Sequence, residues 1–188
     1  MDSFEDLQCR VFAEPGAANT AATIEIAVRR AEALGIDQIV VATSTGRTAL
    51  EVAKQFEGTV IGVTLAAGHW QRYCPPDPEL ISEAQAQGMR ILTATHALLG
   101  GIDSAVSGLG GIAAAEIIAR TYYTFGQGTK VAVECVLMAA DAGLLNMDKD
   151  VISIAGTGGG ADTALVITPA YTNTFFDLRV REVLAKPR

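Results

Sequence analysis

The chain has 188 residues, 49% of them hydrophobic and 19% charged, with a formal net charge of −7. That length suits one domain with a full core, so residues 1–188 are read as a single domain. The negative charge, with Arg29-Arg30 the only adjacent basic pair, excludes nucleic acid as a partner, and no apolar run is long enough to span a bilayer.

The acidic start Met1-Asp2-Ser3-Phe4-Glu5-Asp6 lacks the apolar core of a secretory signal, so a soluble, cytoplasmic protein is expected. A first strand is predicted at Arg10 to Ala13. The loop Glu14-Pro15-Gly16 follows, and Asn19 or Thr20 then caps a helix. Its apolar positions Ile24, Ala27, Val28, Ala31 and Leu34 recur at helical spacing, and Gly35 is a stop signal. Ile39 to Ala42 reads as a strand, Thr45 to Phe56 as a helix, and Thr59 to Leu65 as a buried, β-branched strand. Pro75-Pro76-Asp77-Pro78 breaks the chain before a helix from Glu79 to Gln87, stopped by Gly88, and Met89 to Thr93 is the next strand.

Glycines at 100, 101, 108, 110 and 111 mark a loop before a helix from Ile112 to Tyr123. Thr129 to Ala142 has helical spacing at Val131, Cys135, Met138, Ala139 and Ala142, while its β-branched content leaves a strand as the alternative. Val151 to Ala155 and Thr163 to Thr168 are strands around a glycine loop, and Phe175 to Ala185 reads as one or two edge strands. This alternation of strand and helix predicts a three-layer α/β/α sandwich with a mainly parallel sheet.

In such a sheet ligands sit at the carboxyl ends of the strands. The segment Thr43-Ser44-Thr45-Gly46-Arg47-Thr48 joins a strand to a helix N-terminus, where free N–H groups, the hydroxyls of Ser44, Thr45 and Thr48 and the positive fork of Arg47 favour a phosphate. Helix capping by hydroxyls would give the same pattern without a ligand. It lacks the lysine of a P-loop and the three glycines of a dinucleotide fingerprint. Thr64 and Gly68, then Thr93, Thr95 and His96, then Gly156, Thr157, Gly158 and Gly159 follow other strands, and together these residues predict a ligand pocket.

His96 reads either as a pocket base or as a hydrogen-bonded structural histidine. His69 and Trp70 belong either to a lid or to an ordinary exposed loop, Glu134 either reaches the pocket or points to solvent or pairs with a basic neighbour, and Asp162 pins a loop. Cys9, Cys74 and Cys135 lack disulfide or metal spacing, Cys135 reading as a buried small hydrophobe. The two histidines form no metal pair, and no catalytic triad emerges, so catalytic residues stay unassigned.

The loop from Val41 to Ala49 resembles the effector-binding segment of the pyruvate kinase C-terminal domain. The chain from Cys9 onward is similar to stand-alone pyruvate kinase C-terminal-like proteins. The resemblance is carried by Glu14-Pro15-Gly16 with Asn19-Thr20, Thr93-Ala94-Thr95-His96, Gly126-Gln127-Gly128-Thr129-Lys130 and Met138-Ala139-Ala140-Asp141-Ala142-Gly143. Gly156-Thr157-Gly158, Gly160 to Ala164, Phe175 to Leu178 and Ala185 to Arg188 complete it. It implies a phosphate-bearing small molecule, with FMN as the cofactor expected of the stand-alone group. The phosphate role carries over to Thr43 through Thr48; the other pocket residues rest on strand-end position. No catalytic barrel accompanies these residues, so pyruvate kinase activity is not expected of them. The expected function is small-molecule binding; the alternative is a flavin-dependent or phospho-metabolite enzyme using His96, Glu134 or His69 for proton transfer. A structural partner domain with a vestigial loop is the third reading. The apolar content is compatible with a homo-oligomer, without indicating the pairing face.

Overall fold

The computed structural model describes residues 5–188; the Met1–Phe4 part of the acidic start lies outside them. Seven strands form one sheet in the order β1-β7-β6-β5-β2-β3-β4. They are β1 (Arg10–Phe12), β2 (Gln38–Ala42), β3 (Thr59–Val63), β4 (Arg90–Leu92), β5 (Val151–Ala155), β6 (Thr163–Thr168) and β7 (Arg179–Pro187). Only β6 runs against its neighbours; the other strands are mutually parallel.

The central strands are largely apolar because both faces are covered; Ser153 in β5 is buried by donating its hydroxyl to Ala132 O at 2.9 Å. Ile39 and Val41 of β2, with Ile152 and Ile154 of β5, face helices α1 (Thr20–Leu34), α2 (Arg47–Ala53) and α3 (Pro78–Ala86). Val40, Ile61, Val151 and Leu165 face the other side, against α5 (Ala114–Tyr123) and α6 (Gln127–Asp141). Successive residues of one strand thus feed two cores, giving the expected three layers. Each fully buried isoleucine contributes about 1.5–3 kcal/mol relative to exposure.

Local signals explain most boundaries. Gly35 closes α1 in the left-handed conformation, with its N–H group on the carbonyls of Ala31 and Glu32. Asp77 caps α3 by accepting the amides of Glu79 and Leu80, ahead of Pro78 in the first turn. The stretch with two readings is the helix α6. Twelve of its residues are buried, because it lies between the sheet and the outer elements and packs apolar groups on most of its circumference.

Three expectations need correction. Gly101–Gly108 forms a helix, α4, where the glycines suggested only loop; Gly101 and Gly110 at positive φ mark its two ends instead. Helix α2 starts two residues later than expected and ends three residues earlier, at Ala53. The tail is not an edge: Thr172–Asp177 is a 3-10 stretch, and β7 lies inside the sheet between β1 and β6. Alternation along one strand does not say which neighbours flank it, and the nine-residue β7 pairs with β1 only through Ala185, Lys186 and Pro187.

Candidate functional site

The chain runs from β2 through α2 to β3 and on to β4 in one direction across the sheet. It then returns through α6 to place β5 on the other side of β2. The carboxyl ends of β2 and β5 therefore flank the point where strand order reverses, the place where an open α/β sheet forms its crevice. The segments there are Thr43–Arg47, leading from β2, and Gly156–Asp162, leading from β5.

In the first segment, the Thr43 hydroxyl oxygen accepts the Gly46 N–H at 3.1 Å, and the Thr45 hydroxyl oxygen accepts the Arg47 N–H at 3.4 Å. These two amides are engaged within the protein. The amides of Ser44, Thr45, Thr48 and Ala49 have no protein acceptor among the described residues. Ser44 and Thr45 are partly exposed, Arg47 is exposed without an ion pair among the described residues, and Thr43, Thr48 and Ala49 are buried. Gly46 has φ +103° and packs so closely on α3 that an added Cβ would lie 3.0 Å from Ile81 Cδ1. The turn and the contact with α3 both require glycine here.

The second segment is held by Asp162, which is fully buried. Its Oδ2 accepts the amides of Gly16 at 2.9 Å and Thr157 at 3.1 Å, and its Oδ1 accepts the Thr163 hydroxyl at 2.8 Å. Thr20 adds a clamp, accepting the Ala161 amide at 2.9 Å and donating to Ala17 O at 2.7 Å. Asp162 is the loop pin the sequence suggested, and it ties the β5 loop to the β1 loop as well. Gly158 and Gly159 are exposed with open space above them.

The remaining predicted residues form a second group over β3 and β4. The hydroxyls of Thr64 and Thr93 meet at 2.5 Å. Nε2 of His96 accepts the Ala66 amide at 3.4 Å, and its ring stands edge-on to His69 with centroids 5.3 Å apart. Thr95 packs at the start of α4, its Cγ2 beside Gly101, and Gly68 sits exposed in the 3-10 turn Ala67–His69. The indole of Trp70 donates to Leu65 O at 2.9 Å, folding the turn back on its own strand. The two groups are linked: the Asp77 amide, at the end of the segment leaving β3, donates to Thr45 O at 3.0 Å.

Glu134 does not reach into the crevice. It is buried and accepts the amides of Leu98 and Leu99 on Oε1, each at 2.8 Å, while Oε2 pairs with Lys130. The Lys130 ammonium also lies over the Tyr123 ring, 5.9 Å from its centroid. This buried pair anchors the loop that carries His96. Of the readings for Glu134, pairing with a basic neighbour is the one found, and the neighbour is Lys130, four residues earlier on the same helix. Burial holds the His96 imidazole below its ordinary range; Glu134 opposes this, and Lys130 and His69 add to it. Two surface hollows, of about 460 and 290 Å³, lie elsewhere, the first beside Gly35 and Asp150 at the opposite sheet end and the second between Leu7 and α1.

The family model for the pyruvate kinase alpha/beta domain matches residues 21–167, which hold β2 through β5, all but the last residue of β6 and most of α1. The chain belongs to this family. Strands β1 and β7 lie outside the matched residues. Among solved structures, a pyruvate kinase of Cryptosporidium parvum is similar at 13% identity, over 82% of this chain and 23% of its own, with a TM-score of 0.43. A pyruvate kinase of the same organism in complex with ADP is similar at 15% identity, over 80% and 23%, with a TM-score of 0.40. This chain spans less than a quarter of the length of those proteins. Among the described residues no helix is long and apolar enough to cross a membrane, and no cluster of three metal-ligating side chains occurs.

Proposed function

We propose that this pyruvate kinase alpha/beta-type domain binds a phosphate-bearing small molecule at the β2–β5 reversal point. The unpaired amides of the part-exposed Ser44 and Thr45, with the exposed Arg47 beside them, receive the phosphate. The observation that carries this reading is positional: the unpaired donors of Ser44 and Thr45 stand where strand order reverses, and the exposed Gly158 and Gly159 lie in the loop leaving the neighbouring strand β5. Backbone donors, hydroxyls and a guanidinium are the chemistry a phosphate monoester requires. That donor set fits the phosphate of FMN as well as that of other phosphorylated metabolites. Nothing in the loop is specific for a flavin ring, so FMN is the first compound to test and phosphate monoester is the class. When bound, FMN would supply hydride or electron transfer; pyruvate kinase activity is no part of the proposal.

The test is native mass spectrometry of protein purified without added ligand, followed by titration of FMN into wild type and Arg47→Ala. A retained phosphorylated mass, yellow if flavin, supports the reading. Loss of the exposed guanidinium weakens binding by about tenfold, the equivalent of one charge-assisted hydrogen bond, with the melting temperature unchanged. Equal affinity in both proteins, or no binding of any phosphate monoester, refutes it.

A further inference from the structure

We propose that His96 is a proton-operated latch that holds the Ala66–Asp77 strap closed and thereby sets the geometry of the phosphate loop. The second part rests on the phosphate-binding reading; the latch itself does not.

The strap leaves β3 and crosses the carboxyl end of the sheet. At one end, the Ala66 amide donates to His96 Nε2, and the Trp70 indole donates to Leu65 O. At the other, the Asp77 amide donates to Thr45 O, inside the segment with the open amides. The strap therefore connects a histidine on the β4 loop to the phosphate loop on β2.

Nε2 can accept the Ala66 amide only while the imidazole is neutral, with its proton on Nδ1. Protonation turns the acceptor into a donor pointed at another donor. The charged and titratable groups facing His96 decide how readily this happens. Lys130 and Glu134 face it from α6, and His69 faces it from the strap, with the Tyr73 ring edge-on behind His69. Tyr123 of α5 lies over the Lys130 ammonium, and Leu99 supplies a backbone hydrogen bond within the same loop. Glu134 favours a charged His96, but its oxygens already bind Lys130 and two backbone amides, so little of its charge is free to stabilise a second cation. The latch is thus closed at neutral pH and opens on acidification.

The strap carries its own reporter, because Trp70 is the single tryptophan of the chain. Emission of the ligand-free protein is followed from about pH 7.5 to about pH 5, with far-UV circular dichroism recorded alongside. Wild type and His69→Gln show a single-proton red shift as Trp70 is released, at constant circular dichroism. His96→Gln, whose amide oxygen accepts without titrating, shows none; His96→Ala shows the released spectrum already at neutral pH. A transition that persists in His96→Gln, that coincides with loss of circular dichroism, or that is missing from wild type overturns the latch. The coupling is read from the ratio of wild-type to His96→Gln affinity for FMN at each pH, which cancels titration of the phosphate itself. That ratio falls by up to tenfold per pH unit below the transition, the limit for one linked proton. A flat ratio removes the coupling. Absence of FMN and inorganic phosphate binding at every pH, with the Trp70 transition intact, removes the ligand reading and leaves the latch standing.

Discussion

Removing either member of the Lys130–Glu134 pair tests whether the pair anchors the β4 loop or merely fills space. Both side chains are about 4% exposed, so neither charge can turn to water when its partner is lost. The partners are unequal. Glu134 receives two backbone amides besides the ammonium, whereas the only polar group paired with Lys130 among the described residues is Glu134. Glu134→Leu therefore strands a buried ammonium and two amides, while Lys130→Met leaves a carboxylate that keeps two donors. Breaking a buried pair from one side costs about 3–5 kcal/mol, and Glu134→Leu is placed at the upper end. Lys130→Met is placed at about 2–3 kcal/mol, because hydrogen bonds to a charged group recover part of the loss. In the double variant no charge is buried, so the stranded ammonium no longer contributes, the double variant costs less than Glu134→Leu alone, and the coupling, about 3 kcal/mol, exceeds the cost of Lys130→Met. What remains is the loss of the Leu98 and Leu99 anchors. The assay is urea unfolding followed by far-UV circular dichroism; a loss of 4 kcal/mol also lowers the melting temperature by about 10 °C. A larger cost for Lys130→Met than for Glu134→Leu, or strict additivity, refutes the anchoring argument.

Other predictions follow from single geometries. Gly160→Ala puts a Cβ against Thr20 Oγ1 and 2.7 Å from Ala17 Cα at φ +62°, and is expected to cost about 2–3 kcal/mol. Gly159→Ala, with nothing within 4 Å and no positive φ, is neutral in the same thermal melts. Asp162→Ala frees three donors and costs about 3 kcal/mol or more; hydrogen exchange then speeds up at Gly16 and Thr157 together, and exchange confined to one loop would contradict the shared pin. Burial pushes the Cys135 thiol well above its ordinary range, so a thiol reagent labels exposed Cys9 in native protein but reaches Cys135 only on unfolding. His96 is held below about 6.5, so the unfolded chain protonates first, and stability falls as pH drops through that value until the folded imidazole also protonates. His96→Gln removes this part of the acid dependence in urea titrations.

Most of the fold was legible because its signals are local. Gly35, Asp77-Pro78 and Gly88 state where helices begin and end, and the apolar runs of β2, β3, β5 and β6 state that both faces of the sheet are covered. α4 was hidden because the glycines that mark its ends also read as loop. The candidate site was legible as a set of strand-end residues but not as two groups. The meeting of Thr64 with Thr93, and of His96 with Ala66, requires β3 and β4 to be neighbours in register.

Sequence alone determined the layer architecture, the hydroxyl-rich turn after Ala42, and the pyruvate kinase C-terminal resemblance, since each depends on periodicity or on consecutive residues. Tertiary structure alone decided that β5 returns beside β2, that β7 lies inside the sheet, and that Glu134 holds a loop down on Lys130 instead of entering the crevice. These depend on contacts between residues far apart in the chain. No periodicity encodes such pairings, and they are fixed only when the whole core closes.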